Sequence, residues 1–262
     1  MKISIVTVCF NSAATIADTL RSVARQSHRD IEHIVIDGAS KDTTLDIIAR
    51  DGVHVAKLIS EADRGIYDAM NKGLQCATGE FVGCLNADDI LADQDAVARM
   101  VSTIDASRAD VVFSDLEYVQ AGDLGAVIRY WRCGDFSRAR LRLGWMPPHP
   151  TFYVRRSLLA SIGPFDTGFK IAADYDFMLR VLGRADIATA RVPGVLVRMR
   201  SGGVSNRSLA MLWRKSSEDL IALRRNGIGG WGSLVCKNLQ KLPQFFRRDP
   251  SSIPRGGGFP RN

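Results

Sequence analysis

No stretch of this 262-residue chain approaches the roughly 20 uninterrupted apolar residues that a bilayer-spanning helix requires, which excludes an enzyme built around membrane spans. Cysteine is scarce. Cys9, Cys76, Cys84, Cys133 and Cys236 are odd in number, scattered and without a C-x-x-C pair. They suit neither a disulfide framework nor a zinc site, so reduced, buried thiols are expected. No G-x-G-x-x-G follows a strand-like run, which removes a Rossmann dehydrogenase. The residues after the first such run, Phe10-Asn11-Ser12-Ala13, lack the glycine-rich phosphate loop of a nucleotidyltransferase. Zinc-finger, leucine-zipper and RNP signatures are missing, and no nucleic acid partner is expected. From Met1 the chain runs directly into Ile3-Ser4-Ile5-Val6 without a basic n-region or a long apolar h-region, so the expectation is a cytoplasmic protein.

What is present is ordinary in amount and uneven in placement. The apolar share is 46% and the charged share 24%, values of a globular protein able to bury a sizeable core. The net charge of +7 comes from the C-terminal quarter: residues 198–262 carry 13 Lys/Arg against 3 Asp/Glu, whereas residues 1–197 carry 22 against 25. A charge-asymmetric tail of this sign suits an anionic membrane surface.

Strand and helix patterns alternate over the first ~115 residues, implying parallel βαβ units with right-handed crossovers. Ile3–Cys9, Ile31–Ile36, Val53–Ser60, Phe81–Leu85 and Val111–Ser114 read as strands, and residues 13–25, 66–77 and 94–104 as helices. Residues 118–150 are less regular and end in Trp145-Met146-Pro147-Pro148-His149-Pro150, a loop stiffened by its prolines. Beyond it come a strand at Thr151–Val154, helices at Arg156–Ile162 and from near Asp174, a last strand at Leu196–Met199, and a helical pattern from Ser205 to Arg225.

Acidic residues stand where these strands end. In open α/β sheets ligands collect beyond the carboxyl ends of the strands. Phe81–Leu85 runs into Asn86-Ala87-Asp88-Asp89, and adjacent carboxylates there repel unless a cation or donor groups lie between them. Hard oxygen ligands favour Mg2+ or Mn2+; the alternative is a solvated acidic turn capping the next helix. Asp37 closes the second strand, positioned to accept hydrogen bonds from a nucleobase or ribose, and Asp42 is a helix-capping residue. Arg64 precedes a helix N-terminus, a place suited to a diphosphate, with surface pairing to Asp63 or Glu61 as the alternative. Asp174 opens an amphipathic helix, as a first-turn acid or as a base for a hydroxyl proton; periodicity does not choose. His149 is either packed for shape or faces an acceptor or a leaving phosphate.

Val6-Thr7-Val8-Cys9-Phe10-Asn11, Asp37–Thr43, Asp63–Gly73, Ala77-Thr78-Gly79-Glu80, Asn86-Ala87-Asp88-Asp89 and Ala173-Asp174-Tyr175-Asp176, in this order and spacing, resemble the family 2 glycosyltransferases, most closely the small bacterial members that build surface polysaccharides. The resemblance spans about residues 1–200. It implies an α/β fold of the GT-A class, a Rossmann-like, mostly parallel central sheet flanked by helices. It also implies a metal-dependent, inverting, hexosyltransferase-type enzyme that moves sugar from a nucleotide-diphosphate donor to a hydroxyl of a glycan or lipid-linked acceptor. By the same resemblance Asp37 contacts the base, with Thr7 and Asn11 lining its pocket, and Arg64 contacts the diphosphate. Asn86 bonds a ribose or a metal-bound water, Asp88 holds Mn2+ or Mg2+, and Asp174 is the base. Two departures stand out: Asn86 replaces the first acid of the family's D-x-D, and Ala173 a common Glu before the base.

The expected organisation is a catalytic domain over residues 1–204, a basic helical segment over 205–250, and a disordered glycine-rich tail over 251–262. In the helical segment Trp231, Leu234, Val235, Leu239, Leu242, Phe245 and Phe246 approximate one stripe with Lys237, Lys241, Arg247 and Arg248 off it. That pattern suits an anionic membrane surface, although Pro243 interrupts it and packing on the catalytic domain is the alternative. The Gly202–Ser205 turn covers the nucleotide or is an ordinary turn. A catalytically silent sugar-nucleotide or membrane-binding module is the competing reading of the whole chain.

Overall fold

The computed structural model describes residues 1–202 and 209–240. Over the first third the chain repeats a strand–loop–helix unit: β1 (Ile3–Cys9), α1 (Ile16–Ala24), β2 (Ile31–Asp37), α2 (Thr44–Asp51), β3 (Val55–Ser60), α3 (Ile66–Cys76) and β4 (Phe81–Cys84). All seven residues of β1 are buried, because it lies between β2 and β4 and pairs in parallel with both. β3 adds in parallel to β2 and forms the sheet edge, which explains its half-exposed residues.

The period-2 geometry of strands divides the core into layers. Val6, Val8, Ile34 and Ile36 face α3, whereas Ile3, Ile5, Cys9 and Val35 face the opposite side, where α1 and α2 pack. Each fully buried aliphatic side chain of this kind contributes about 1.5–3 kcal/mol. Two glycines in this half are dictated by geometry. Gly65 precedes α3 at φ +127°, a region that L side chains rarely adopt. Gly73 lets α3 approach β1 so closely that an added Cβ would lie 2.1 Å from Val6 Cγ1.

Past β4 the pattern becomes mixed. β5 (Asp89–Leu91), α4 (Ala96–Ser107), β6 (Val111–Gln120), β7 (Asp123–Trp131), α5 (Arg138–Arg142), β8 (Tyr153–Arg155), α6 (Leu159–Ile162), α7 (Ala173–Leu182) and β9 (Thr189–Arg200) follow. The sheet order is β3-β2-β1-β4-β8-β6-β9-β5, with β7 hairpinned onto β6. β8 runs antiparallel to both β4 and β6, and β9 is parallel to β6 but antiparallel to β5. The fold is α/β with helices on both faces of a curled central sheet.

Two features left open by the sequence take definite form here. The acidic pair after β4 is not a solvated turn capping the next helix: Asp89 opens a short buried strand, held by β9. The irregular region 118–150 contains the β6–β7 hairpin and α5. Most β7 residues are only partly buried, so the strand lacks a clean alternation of apolar and polar positions.

Helices α8 (Leu209–Arg225) and α9 (Trp231–Leu239) follow; α8 packs on α7, and α9 on α8. The apolar stripe of α9 is split. Leu234, Ser233 and Lys237 are buried, whereas Trp231, Val235 and Leu239 are exposed at 64%, 54% and 56%. The remainder of that stripe, the expected 204/205 boundary, the residues beyond Gly202 in its turn, and the 251–262 tail lie outside the described residues.

Candidate active site

Loops at the carboxyl ends of β1, β2, β3 and β4 form one edge of the parallel half. The loop after β1 is stitched to the loop after β2 by four hydrogen bonds. The N–H groups of Asn11, Ser12 and Ala13 donate to Ser40 Oγ, Thr44 Oγ1 and Asp42 Oδ2, and Lys41 N–H donates to Asn11 Oδ1. Asp42 also accepts from the N–H of Thr44 in the first turn of α2. Asn11 is exposed, with φ +49°.

Asp37 is buried, and its carboxylate is already satisfied. It accepts from Ser40 N–H at 3.0 Å, Ser40 Oγ at 2.5 Å and Ser60 Oγ at 2.7 Å. Burial alone would raise its pKa, but these hydrogen bonds outweigh it and hold the carboxyl below the usual range. In this arrangement Asp37 orders the loop through these serines, and a nucleobase bonding the same oxygens would compete with them. Thr7 is corrected. It is fully buried one layer below the edge, 2.9 Å from His33 Nε2, and lines no open surface. His33 in turn contacts His54 Nε2 at 3.0 Å.

Arg64 stands just before α3, 83% exposed, and pairs with Asp68 one turn into the helix at 2.8 Å. It does not pair with Asp63 or Glu61, because Lys72 takes both. An exposed pair of this kind contributes little, so the guanidinium exchanges partners at low cost.

Beyond β4 the oxygen atoms are under-satisfied. Asn86 Nδ2 donates to Asp89 Oδ2 at 3.1 Å, yet Asn86 Oδ1 and Asp89 Oδ1 are buried without a hydrogen-bond partner. The Asp88 carboxylate has no partner among the described residues. Burial, and then the neighbouring Asp88, push the Asp89 carboxyl well above the usual range. The Asp88 main chain is fixed from a distance: Arg200, nearly buried at the end of β9, donates Nη1 to Asp88 O at 2.9 Å and Nη2 to Asp18 Oδ2 at 2.5 Å. Sequence reasoning did not find Arg200, because its partners lie more than 100 residues away.

Asp174 comes from the other half of the chain. It sits in the first turn of α7, where Oδ1 accepts from Tyr175 N–H at 2.8 Å and from Tyr67 Oη at 3.3 Å. Tyr67 belongs to the first turn of α3, three residues after Arg64; its single hydroxyl proton is directed chiefly to Ile171 O at 2.5 Å and only shared with Asp174 Oδ1. Burial, and then the Asp174 charge, raise the phenol pKa far above its usual value, so Tyr67 stays a donor. His149 packs edge-on against Phe165, with ring centroids 5.7 Å apart, and Phe165 also neighbours the Tyr67 ring. Burial lowers the His149 pKa although Asp174 opposes the shift, so the imidazole is neutral near pH 7.

The model of the family described as glycosyl transferase family 2 matches residues 4–169, which contain all of these groups except Ile171, Asp174, Tyr175 and Arg200. The chain belongs to that family. This glycosyltransferase is 33% identical over 208 residues to a PGL/p-HBAD biosynthesis glycosyltransferase of Mycobacterium bovis, covering 78% of each chain. An uncharacterized glycosyltransferase of Mycobacterium tuberculosis is 33% identical over 227 residues, 86% of this chain and 82% of the relative. Among solved structures, the Pyrobaculum calidifontis mannosyltransferase PcManGT in complex with GDP-Man and Mn2+ superposes with a TM-score of 0.64 at 20% identity, covering 97% of this chain and 72% of that one. Staphylococcus aureus TarS 1–349 in complex with UDP-GlcNAc gives 0.62 at 21% identity over 94% and 78%. These likenesses establish the GT-A fold for this glycosyltransferase.

The donor set after β4 fits a hard divalent cation: two carboxylates and an amide oxygen, two of those groups carrying buried oxygens without partners. Among the described residues no group of three His, Cys, Asp or Glu side chains gathers to hold a metal. Nor, among them, is any helix long and apolar enough to cross a membrane.

Proposed function

We propose that this glycosyltransferase transfers a hexosyl group from a nucleoside-diphosphate sugar to a hydroxyl of a glycan or lipid-linked acceptor, with inversion, in surface polysaccharide assembly. The observation that carries the reading is the unpartnered oxygen set of Asn86, Asp88 and Asp89 at the carboxyl edge of the parallel strands, where the loops of Asn11 and Arg64 also end. Asn11 and the Ser40 loop ordered by Asp37 face the base and ribose, and Arg64 leaves Asp68 for the diphosphate. Asp88, with Asn86 and Asp89 beside it, would hold Mn2+ or Mg2+, which when bound neutralises charge on the departing diphosphate.

The acceptor oxygen forms its bond to the anomeric carbon as the bond to the diphosphate oxygen breaks on the opposite face. Asp174 takes the hydroxyl proton, and Tyr175 N–H, with Tyr67 Oη beside it, holds Oδ1 so that the other oxygen is left for the acceptor. A single displacement needs no covalent nucleophile on the protein. His149, neutral and beside Phe165, borders the acceptor side as a hydrogen-bonding group.

Nucleoside diphosphate release from a panel of UDP-, GDP- and dTDP-sugars, with and without Mn2+ or Mg2+, tests the reading. Metal-stimulated release by the wild-type chain, abolished in Asp88→Ala, supports it. Binding without release in every case supports the silent-module reading instead.

The exposed face of α9 supports a cytoplasmic protein held peripherally on an anionic membrane. Trp231, Val235 and Leu239 recur every fourth residue on it. Exposed Leu143 adjoins that helix through the Gln240 Nε2 bond to its carbonyl, and the basic α5 lies alongside. Flotation with anionic vesicles should be lost when Trp231, Val235 and Leu239 are all changed to Ser; unchanged flotation overturns it.

A further inference from the structure

We propose that Glu218 positions the base: from α8, outside the residues that the family model matches, it ties down the main chain just before α7 and so fixes where Asp174 points. The inference rests on the reading of Asp174 as the proton acceptor.

A helix start leaves N–H groups without partners, and a side chain at the N-cap usually accepts from one of them. Here the N-cap is Ala172, which has no acceptor to offer. Glu218, from another helix, instead holds the N–H groups of the segment that leads into α7. Its carboxylate accepts from Lys170 N–H at 3.1 Å, Ile171 N–H at 2.8 Å and Ala172 N–H at 3.0 Å. Hydrogen bonds to an ionised acceptor are about twice as strong as neutral ones, and an anion is favoured at a helix N-terminus.

The main chain just before Asp174 is therefore held from both sides. Glu218 takes the N–H of Ile171, and Tyr67 donates to the carbonyl oxygen of the same residue at 2.5 Å. Tyr67 also touches Asp174 Oδ1. Asp174 thus stands three residues beyond Ile171, which is gripped by α8 through its N–H and by α3 through its carbonyl.

The neighbouring contacts brace α8 itself. Asn226 Nδ2 donates to Asp176 Oδ1 at 2.9 Å, and Arg225 Nη1 pairs with Asp166 Oδ2 at 2.5 Å. Asp219, next to Glu218, pairs at 2.8 Å with the buried Lys237 of α9. The Lys237 Nζ also lies 3.1 Å from the ring centroid of Tyr175, the residue after Asp174. In this arrangement the C-terminal helices complete the acceptor side of the site and leave the donor edge untouched.

The test compares Glu218→Leu, Glu218→Gln, Asp174→Asn and the double variant Glu218→Leu/Asp174→Asn. The assay is nucleoside diphosphate release, with water as acceptor, from whichever UDP-, GDP- or dTDP-sugar the wild-type chain turns over fastest. Glu218→Leu should lower kcat about 10- to 100-fold, since misplacing a catalytic group by about 1 Å costs on that order. Glu218→Gln, which keeps one acceptor oxygen, should fall between it and wild type. The KM for the donor should stay within about 2-fold of wild type, because its binding groups lie elsewhere. Two groups acting as a unit are not additive, so the double variant should be no slower than Asp174→Asn alone.

A wild-type kcat in Glu218→Leu overturns the inference. So does a Glu218→Leu penalty that persists in the Asp174→Asn background, or a donor KM that rises in step with the loss of kcat, since both describe general loosening. If Glu218→Leu does not fold, the same comparisons are made with Glu218→Gln. A wild-type rate in Asp174→Asn sinks the base assignment itself, and an absence of turnover with every donor sinks both readings.

Discussion

The two halves of this glycosyltransferase place their functional groups by different means. In the parallel half each strand delivers its loop to the same edge, and the candidate site residues lie within a few positions of a strand end: Asn11 after β1, Asp37 closing β2, Arg64 after β3, Asn86–Asp89 after β4. In the mixed half no strand end carries Asp174. That residue stands at a helix start defined by contacts across about 45 to 105 residues, from Glu218 and Tyr67. The comparison teaches that a fold can write one set of candidate site residues into local βα units while assembling another by tertiary contact.

The sharpest way to break this division is Asp174→Ala. If the halves are separable, kcat falls by about 10²–10⁴. Nucleoside diphosphate binding, followed by calorimetry in the presence of Mn2+, stays close to wild type. An equal loss of affinity would show that the two halves act as one site.

Legibility in the sequence follows the same division. Unbroken apolar runs and the acids that stop them locate β1, β2 and β4 and their loops, because a buried parallel strand and its end are local features. Asp174 is visible only as a first-turn acid, for which capping and catalysis predict the same residue. Glu218 and Arg200 carry no local mark. Each is an ordinary charged residue, in a helix and at a strand end, whose partner is chosen by packing. Thr7 shows the converse error. Its place in a motif suggests a ligand contact, but strand alternation turns its hydroxyl into the sheet toward His33. The α9 stripe is divided for a similar reason, since the helix packs one face and leaves the other exposed.

Arg200 is where the halves meet, and Arg200→Lys sharpens the comparison. A guanidinium bridges Asp88 O and Asp18 through two nitrogens, and an ammonium on a flexible stem does not reproduce that fork. Groups that orient a metal ligand typically matter by about 10–100-fold in metal affinity or activity. The Mn2+ concentration giving half-maximal nucleoside diphosphate release should rise by that factor. An unchanged Mn2+ response would leave the donor edge self-sufficient and widen the contrast between the halves.

The smallest effect concerns stability and belongs to the parallel half alone. His33 is fully buried between Thr7 and His54, and desolvation, with His54 adding to it, lowers its pKa from 6.5 to about 3. The unfolded chain then binds a proton that the folded chain refuses, so stability rises with pH across this interval. The contribution is fully present above about pH 6.5 and is lost progressively as pH falls toward 3. One proton corresponds to about 1.4 kcal/mol per pH unit, or about 2 kcal/mol between pH 6.5 and 5. His54, whose pKa burial also lowers, acts in the same direction. Denaturant unfolding of His33→Gln should therefore show a shallower decline over this interval than wild type. Faster acid-induced hydrogen exchange in wild type should be confined at first to peptides of β1 and β2. A variant as acid-sensitive as wild type, or exchange that begins in α7 and α8, would move the weak point to the half assembled by tertiary contacts.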